Sequence, residues 1–275
     1  MSGNDIIHLG YWKCRGIGMP IQMVAHYLDI ELKVRRYEPI KCESGDGWDR
    51  SQWLDEKFTL DLGFPNLPYI IDSSVLGGSM RLTGSFAIIK YLVRKYNWER
   101  NQPAKTDQRE TVHDLMPSKN WELSHAEMLE DWINDLRWDF IRTVYGDGSS
   151  ESIDTHFDKV DVKFSQLEEF LKKVTSDHDL GWLLNGGCPV CTGKWLVGEL
   201  SYIDFYVWEV VSAHQCWKPS VLDKFPTAMI WFENFKKLRK VKQFLESDLY
   251  FEYPITSKMA IWGGREKNDG IIEKT

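Results

Sequence analysis

The hydrophobic period of this chain changes character once, near residue 97, and that change limits the architectures open to it. Before it, strand-like and helix-like stretches alternate. Ile6–Trp12 is an apolar run of strand length, and Leu32–Tyr37 alternates Leu, Val and Tyr with charge, as a half-buried strand does. Between them, Pro20 to Leu28 carries apolar residues at helical spacing, with a proline in the first turn, where its missing N–H costs little. Tyr69–Asp72 and Val75–Leu82 predict two strands around Gly77-Gly78-Ser79. Thr83–Tyr96 predicts a helix through Phe86, Ile89, Tyr91, Leu92 and Val93. The order is βαβ, an irregular stretch, then ββα.

Asn97–Asn120 is polar and aperiodic and reads as a linker. Only helical spacing follows. Ser124-His-Ala-Glu127 predicts a capping box ahead of Met128, Leu129, Trp132, Ile133, Leu136, Phe140 and Val144. A second helix is expected over Asp154–Val174. A third starts at Ser201-Tyr-Ile-Asp204, with Leu200 and Phe205 placed as a hydrophobic staple. A fourth begins near Pro226 and carries Ile230, Phe235, Leu238, Val241 and Leu245. The expected fold class is therefore α/β plus all-α. Residues 1–96 form the mixed domain, 97–122 a linker, and 123–275 a helical domain with an aperiodic tail from Tyr253.

Composition excludes some functions. A net charge of −7 argues against a nucleic-acid footprint, which needs a basic face. The one basic cluster, Lys236–Lys242, lies in an amphipathic pattern and reads as a solvated helix face. No segment approaches the ~18 apolar residues of a membrane span. The start has no basic and apolar export pattern, and five Cys is an odd count, so reduced thiols in the cytoplasm are expected.

Two places carry chemistry. In Phe64-Pro65-Asn66-Leu67-Pro68-Tyr69 the prolines bracket Asn-Leu at the mouth of a strand. A cis bond before Pro68 would turn the backbone of Leu67 outward, leaving its N–H and C=O for an extended peptide. An ordinary proline-led strand is the plainer reading of that segment alone. The other place is Tyr11, which closes the first strand before a glycine-containing loop, where α/β folds present functional side chains. Its phenol can donate one hydrogen bond to an anion, or simply pack its ring and keep its hydroxyl wet.

The sequence resembles the mu class of cytosolic glutathione transferases over about residues 6–263. The resemblance rests on Leu-Gly-Tyr-Trp-Lys-Cys-Arg-Gly (9–16), Asp-Arg-Ser-Gln-Trp-Leu-Asp-Glu-Lys-Phe (49–58) and Asp-Leu-Gly-Phe-Pro-Asn-Leu-Pro-Tyr-Ile-Ile-Asp (61–72). Leu-Thr-Gly-Ser-Phe-Ala-Ile (82–88), Leu-Ser-Tyr-Ile-Asp-Phe (200–205) and Ser-Lys-Met-Ala-Ile-Trp-Gly (257–263) follow in order. It implies a thioredoxin-like N-terminal domain and a helical-bundle C-terminal domain. It implies an enzyme with glutathione as co-substrate, an apolar electrophile as partner, no cofactor and no metal. Tyr11 would donate to the glutathione sulfur and favour thiolate over thiol.

The same resemblance gives other residues a job. Trp12, Trp53 and Lys57, with Arg50 nearby, would hold the glycine carboxylate. Indole and ammonium groups are donors only, as a carboxylate needs. Leu67 before Pro68 would pair with the cysteinyl unit, with Asn66 beside it. Ser85, at a helix N-terminus, would bind the γ-glutamyl carboxylate. Asp139 matches an acid that reaches the γ-glutamyl amine across a dimer interface, with Asp131 and Asp135 as competitors. Phe64 matches an aromatic key that enters a partner subunit, which implies a homodimer. Ile17, Tyr145 and Ser257 fall near positions that line the electrophile pocket.

The chain departs from the pattern at Gly84, where the family usually carries Gln, which predicts weaker glutathione binding. It is longer at Lys41–Trp48, Ser73–Met80, Asn97–Asn120 and Gly181–Leu196. The last segment holds Cys188-Pro-Val-Cys191, a redox or half-zinc motif in an unpromising loop. A zinc site there would draw on Cys216, His214 or His178, and an inert pair is expected. Two other functions fit the chain: a non-catalytic ligand-binding protein on the same fold, and a thiol transferase using Cys14, three residues after Tyr11.

Overall fold

A computed structural model describes residues 6–43, 45, 47–75, 78–100, 114–175 and 195–265. The chain divides into two compact units, Met1–Leu92 with Phe244–Thr275, and Val93–Gln243.

The first unit is built on a four-stranded sheet of β1 (Ile7–Trp12), β2 (Leu32–Tyr37), β5 (Tyr69–Asp72) and β6 (Met80–Thr83), in the order β2-β1-β5-β6. β1 runs parallel to β2, with Tyr11 opposite Arg36, and antiparallel to β5, with Gly10 opposite Tyr69. Helix α1 (Met19–Tyr27) makes the parallel crossover, and every residue of it but His26 is buried. The last strand begins at Met80 rather than Val75, because Val75 is spent on a turn in which Gly78 N–H bonds its carbonyl. The longer first loop folds into a small antiparallel pair, β3 (Ile40–Lys41) and β4 (Trp48–Asp49), followed by the one-turn helix α2 (Ser51–Leu54). Helix α3 (Ser85–Arg100) leaves the end of β6.

The tail groups with this sheet unit and not with the helices, contrary to the boundary expected from sequence. Its attachment is made by backbone: Arg15 N–H donates to Pro254 O at 2.9 Å and Gly16 N–H to Ile255 O at 3.0 Å. The Arg36 guanidinium lies over the Phe251 ring, and Glu38 bonds both Lys13 and Lys258. Main-chain bonds leave no hydrophobic period, so periodicity could not place the segment.

The second unit holds α4 (Asn120–Val144), α5 (Ser150–Thr175), α6 (Tyr202–Trp217) and α7 (Pro226–Lys236), with α8 (Arg239–Leu245) at its boundary. α4 starts ahead of the expected Ser124 box. Glu122 takes over that role, accepting the Lys119 amide at 3.4 Å and pairing with its ammonium at 2.9 Å. The expected fourth helix is two helices, because the chain turns at Lys237 and Leu238, where Leu238 N–H returns to Phe235 O. The break falls inside the basic run.

The box at Ser201 and Asp204 opens α6 as expected, and it does more than cap. Asp204 is fully buried. It accepts Ser201 N–H at 3.0 Å and Ser201 Oγ–H at 3.1 Å on one oxygen, and Leu196 N–H and Trp231 Nε1–H, both at 3.0 Å, on the other. Burial pushes its carboxyl up to about 6 while these donors pull the other way.

A buried histidine pair should make the same unit acid-sensitive. His214 donates from Nδ1 to Val210 O at 2.7 Å, and His156 Nδ1 meets Asp139 Oδ2 at 2.8 Å. Their Nε2 atoms have no hydrogen-bond partner among the described residues. Burial, reinforced by His156, lowers His214 from an ordinary 6.5 to about 3. A lowered histidine is neutral in the native state while the unfolded chain protonates, so this stability is present above pH 6.5 and is lost as pH falls. The raised Asp204 acts oppositely, losing stability as pH rises toward about 6, so comparison with a variant is needed to isolate the histidine. In urea unfolding, wild type should lose about 1.4 kcal/mol per pH unit relative to His214→Phe between about pH 6 and pH 4. Parallel pH curves for the two proteins would rule this assignment out.

Candidate functional site

Tyr11 lies within β1 and is 8% exposed. Its phenol oxygen accepts the Ile17 N–H at 3.1 Å. A phenol that accepts a backbone donor is polarised into a better donor through its own proton. The ring rests on Gly18, where an added Cβ would stand 2.3 Å from Tyr11 Cδ1, so any side chain there would displace it. Ile17 thus enters the site first through its backbone. The tail bonds at Arg15 and Gly16 hold the two residues just before it, which brings Pro254 and Ile255, and with them the region of Ser257, to the Tyr11 loop. Ser257 is buried, and its Oγ accepts Met259 N–H at 3.4 Å.

One apolar cluster collects Tyr11, Trp53 and Leu67 with Cys14, Tyr37, Leu62 and Tyr69, and Trp12 and Ile17 pack against it. Trp53 stacks on Tyr69 with centroids 5.9 Å apart. Arg50 is exposed ahead of α2 and Lys57 is half-buried after it, its Nζ over the Phe58 ring at 5.2 Å. The peptide bond between Leu67 and Pro68 is cis. The amide of Leu67 is not left open, however: it donates to Asn66 Oδ1 at 2.9 Å. Asn66 therefore covers the donor that an added peptide strand would use. A ligand carbonyl at Leu67 has to replace that side chain.

Ser85 is buried as the first residue of α3, and Gly84 holds the position before it, its carbonyl accepting Ile88 N–H at 3.0 Å. Gly84 has φ +89°, and a Cβ on it would meet nothing within 4 Å. A longer side chain there has room, and the obstacle is the backbone conformation.

Asp139 is engaged within its own unit. Its carboxylate is 13% exposed and already binds Lys159 at 2.7 Å and His156 at 2.8 Å, with Arg142 at 3.7 Å. These partners hold its carboxyl below the usual carboxylate range despite burial. An acid so engaged inside its own helix pair is not poised to reach outward. Asp135, one helical turn earlier, is 77% exposed and pairs only loosely with Lys163, at 3.4 Å. Asp135, Trp138 and Val162 line a cleft of about 610 Å³ between α4 and α5. Tyr145 ends α4 in this second unit, partly exposed. Phe64 is 86% exposed and does not pack under its own loop.

Cys14 is 4% exposed in the core of the sheet unit, whereas reactive thiols sit in partly exposed, electropositive surroundings. Cys188, Cys191 and His178 lie outside the described residues. Among the described residues no group of three or more His, Cys, Asp and Glu could hold a metal.

Residues 134–248 match the family "Glutathione S-transferase, C-terminal domain". Mouse glutathione S-transferase Mu 1 is 33% identical over 260 residues, spanning 94% of this chain and 98% of the relative. The chain belongs to the glutathione S-transferase family, among mu-class-like members. Human glutathione S-transferase Mu 3 is 29% identical across 96% of this chain and 99% of its own length. Among solved structures, glutathione S-transferase Blo t 8 superposes with a TM-score of 0.71 at 26% identity, over 92% of this chain and 98% of that one. Motifs and periodicity give Arg15 no role. Arg15 is fully buried beside the tail, its guanidinium over the Tyr250 ring and bonded to Glu252 O. Buried Arg is rare, but only the fold reveals that this one is buried.

Proposed function

We propose that the chain ionises glutathione and transfers its sulfur to apolar electrophiles. The observation that carries the reading is Tyr11, a phenol at the end of β1 that is polarised by the Ile17 amide and shares one cluster with Trp53 and Leu67. The thiol proton passes to solvent, the thiolate attacks an electrophilic carbon, and a C–S bond forms. With an aryl halide, the halide leaves with its bonding pair. Trp12, Trp53, Lys57 and Arg50 take the glycine carboxylate, Leu67 and Asn66 the cysteinyl unit, and Ser85 the γ-glutamyl carboxylate. Ile17 and Ser257 line the electrophile side. No cofactor enters this chemistry. A glutathione conjugation assay with an aryl halide tests it, and the absence of turnover with bound glutathione would favour a ligand-binding role on the same fold. The burial of Cys14 counts against a thiol transferase.

The functional form is a homodimer in this reading, with Phe64 of one copy entering the α4–α5 cleft of the other. The exposure of that ring and the apolar Trp138 and Val162 in the cleft support it. Asp135 replaces Asp139 as the acid available to a ligand across that interface. A cytoplasmic setting suits the reduced thiols this chemistry needs, and no helix among the described residues is long and apolar enough to cross a membrane.

Gly84 tunes the affinity. Gly84→Gln should tighten glutathione about 2- to 10-fold, the worth of one side-chain hydrogen bond. It should also cost about 1–3 kcal/mol of stability, because φ at this position is +89°. Calorimetry and thermal melting read the two effects separately. Unchanged affinity would mean that the missing side chain has no part in binding.

A further inference from the structure

We infer that Tyr37, Tyr69 and Glu56 form a hydrogen-bonded strut that positions α2 and Trp53, and with them the glycine end of glutathione. The inference rests on the glutathione reading above. α2 is a single turn, Ser51–Leu54, and an isolated turn has no stability of its own. Its place is set by what it touches. Trp53 stacks on Tyr69 at an interplanar angle of 19° and meets the Tyr37 ring edge-on, with centroids 5.4 Å apart. Glu56, in the turn that continues α2, accepts the Tyr37 hydroxyl at 2.6 Å and the Arg35 guanidinium at 2.8 Å.

The proton directions follow from chemistry. An ionised carboxylate only accepts, so Tyr37 spends its single proton on Glu56. The 2.9 Å contact between the two phenols must then run from Tyr69 O–H to Tyr37 oxygen. The strut is therefore a directed chain, Tyr69 to Tyr37 to Glu56, and successive bonds of that kind polarise one another. Tyr37 is fully buried, and its contact with Tyr69 is little screened. Burial raises both phenols, so the chain stays protonated throughout the neutral range.

Its inner end presses on the catalytic strand. A Cβ at Gly10 would lie 2.1 Å from Tyr69 Cε1, so only glycine before Tyr11 lets that ring lie against β1. Tyr37 and Tyr69 touch no reacting atom in this account. They act through Trp53 and the turn that carries Lys57, and are positioning residues for glutathione. Chemistry at sulfur remains with Tyr11.

Tyr37→Phe keeps the ring and removes the bonds. Loosening α2 lowers the fraction of binding-competent protein, so Kd and KM for glutathione should rise about 3- to 10-fold. The kcat at saturating glutathione and the pH midpoint of the reaction should stay within about twofold of wild type. Glu56→Ala should reproduce the effect, and Glu56→Gln, whose carboxamide oxygen still accepts from Tyr37, should recover most of it. Amide exchange in the ligand-free protein gives a reading independent of glutathione: residues 51–57 should exchange about tenfold faster in Tyr37→Phe than in wild type. Unchanged exchange there overturns the strut, as does wild-type affinity in Tyr37→Phe or a fall in kcat at unchanged KM. If wild type fails to bind glutathione while exchange responds as expected, the ligand assignment fails and the strut stands.

Discussion

Tyr11→Phe should lower the rate of glutathione–aryl halide conjugation roughly 10- to 50-fold at pH 6.5, with the deficit closing as the pH passes about 8.5. A free thiol of pKa about 8.5 is about 1% thiolate at pH 6.5. One hydrogen bond to the charged sulfur, worth about 1.5–3 kcal/mol, lowers that pKa by one to two units and raises the thiolate fraction accordingly. At high pH the thiolate forms unaided and the phenol has less to contribute. The ring of Phe fills the same seat against Gly18, so the fold should be kept, although the Ile17 amide loses its acceptor and some stability with it. A variant as fast as wild type at pH 6.5, or equally slow at every pH, would contradict this assignment.

The largest effect on stability should come from Asp204→Ala. The substitution leaves the buried Leu196 and Ser201 amides and the Trp231 indole without their acceptor. Each unsatisfied buried donor costs about 1–3 kcal/mol, so a loss of about 4 kcal/mol or more is expected. That is a large share of the roughly 5–15 kcal/mol that holds an ordinary domain together. Asp204→Asn keeps one acceptor oxygen and should fall between. Urea unfolding followed by circular dichroism measures the series. A loss below about 1 kcal/mol for the alanine variant would mean that Asp204 only caps α6 and does not tie α7 to it.

Much of the fold was legible because burial imposes a period. β1 and β5 declared themselves as short apolar runs, β2 through alternation, α1 through helical spacing, and the Ser201–Asp204 box through the spacing of its two ends. Contacts that carry no period were hidden. Glu122 replaced a Ser-led box with an acid that pairs with Lys119, which no standard cap pattern includes. Tail residues 254–255 join the sheet unit by main-chain bonds, which any sequence could make. Motifs single out Tyr11, Trp53 and Leu67, and the structure gathers them in one apolar cluster. The engagement of Asp139 was hidden because its partners, 17 and 20 residues away on α5, are tertiary. Tyr37 and Tyr69, 32 residues apart, each looked like a strand aromatic, and only their shared bond gives them a role. The open amide expected at Leu67 proved to be covered by Asn66, a local bond that the Asn-Leu-Pro pattern permits but does not announce.

The central claim is that Tyr11 stabilises the glutathione thiolate, and the thiolate's ultraviolet absorbance tests it most directly. Glutathione bound at saturation should titrate about one to two units below the free thiol's value of about 8.5 in wild type, and near about 8.5 in Tyr11→Phe. Bound glutathione that titrates like the free thiol in wild type, or with the same lowered midpoint in both proteins, would contradict the account.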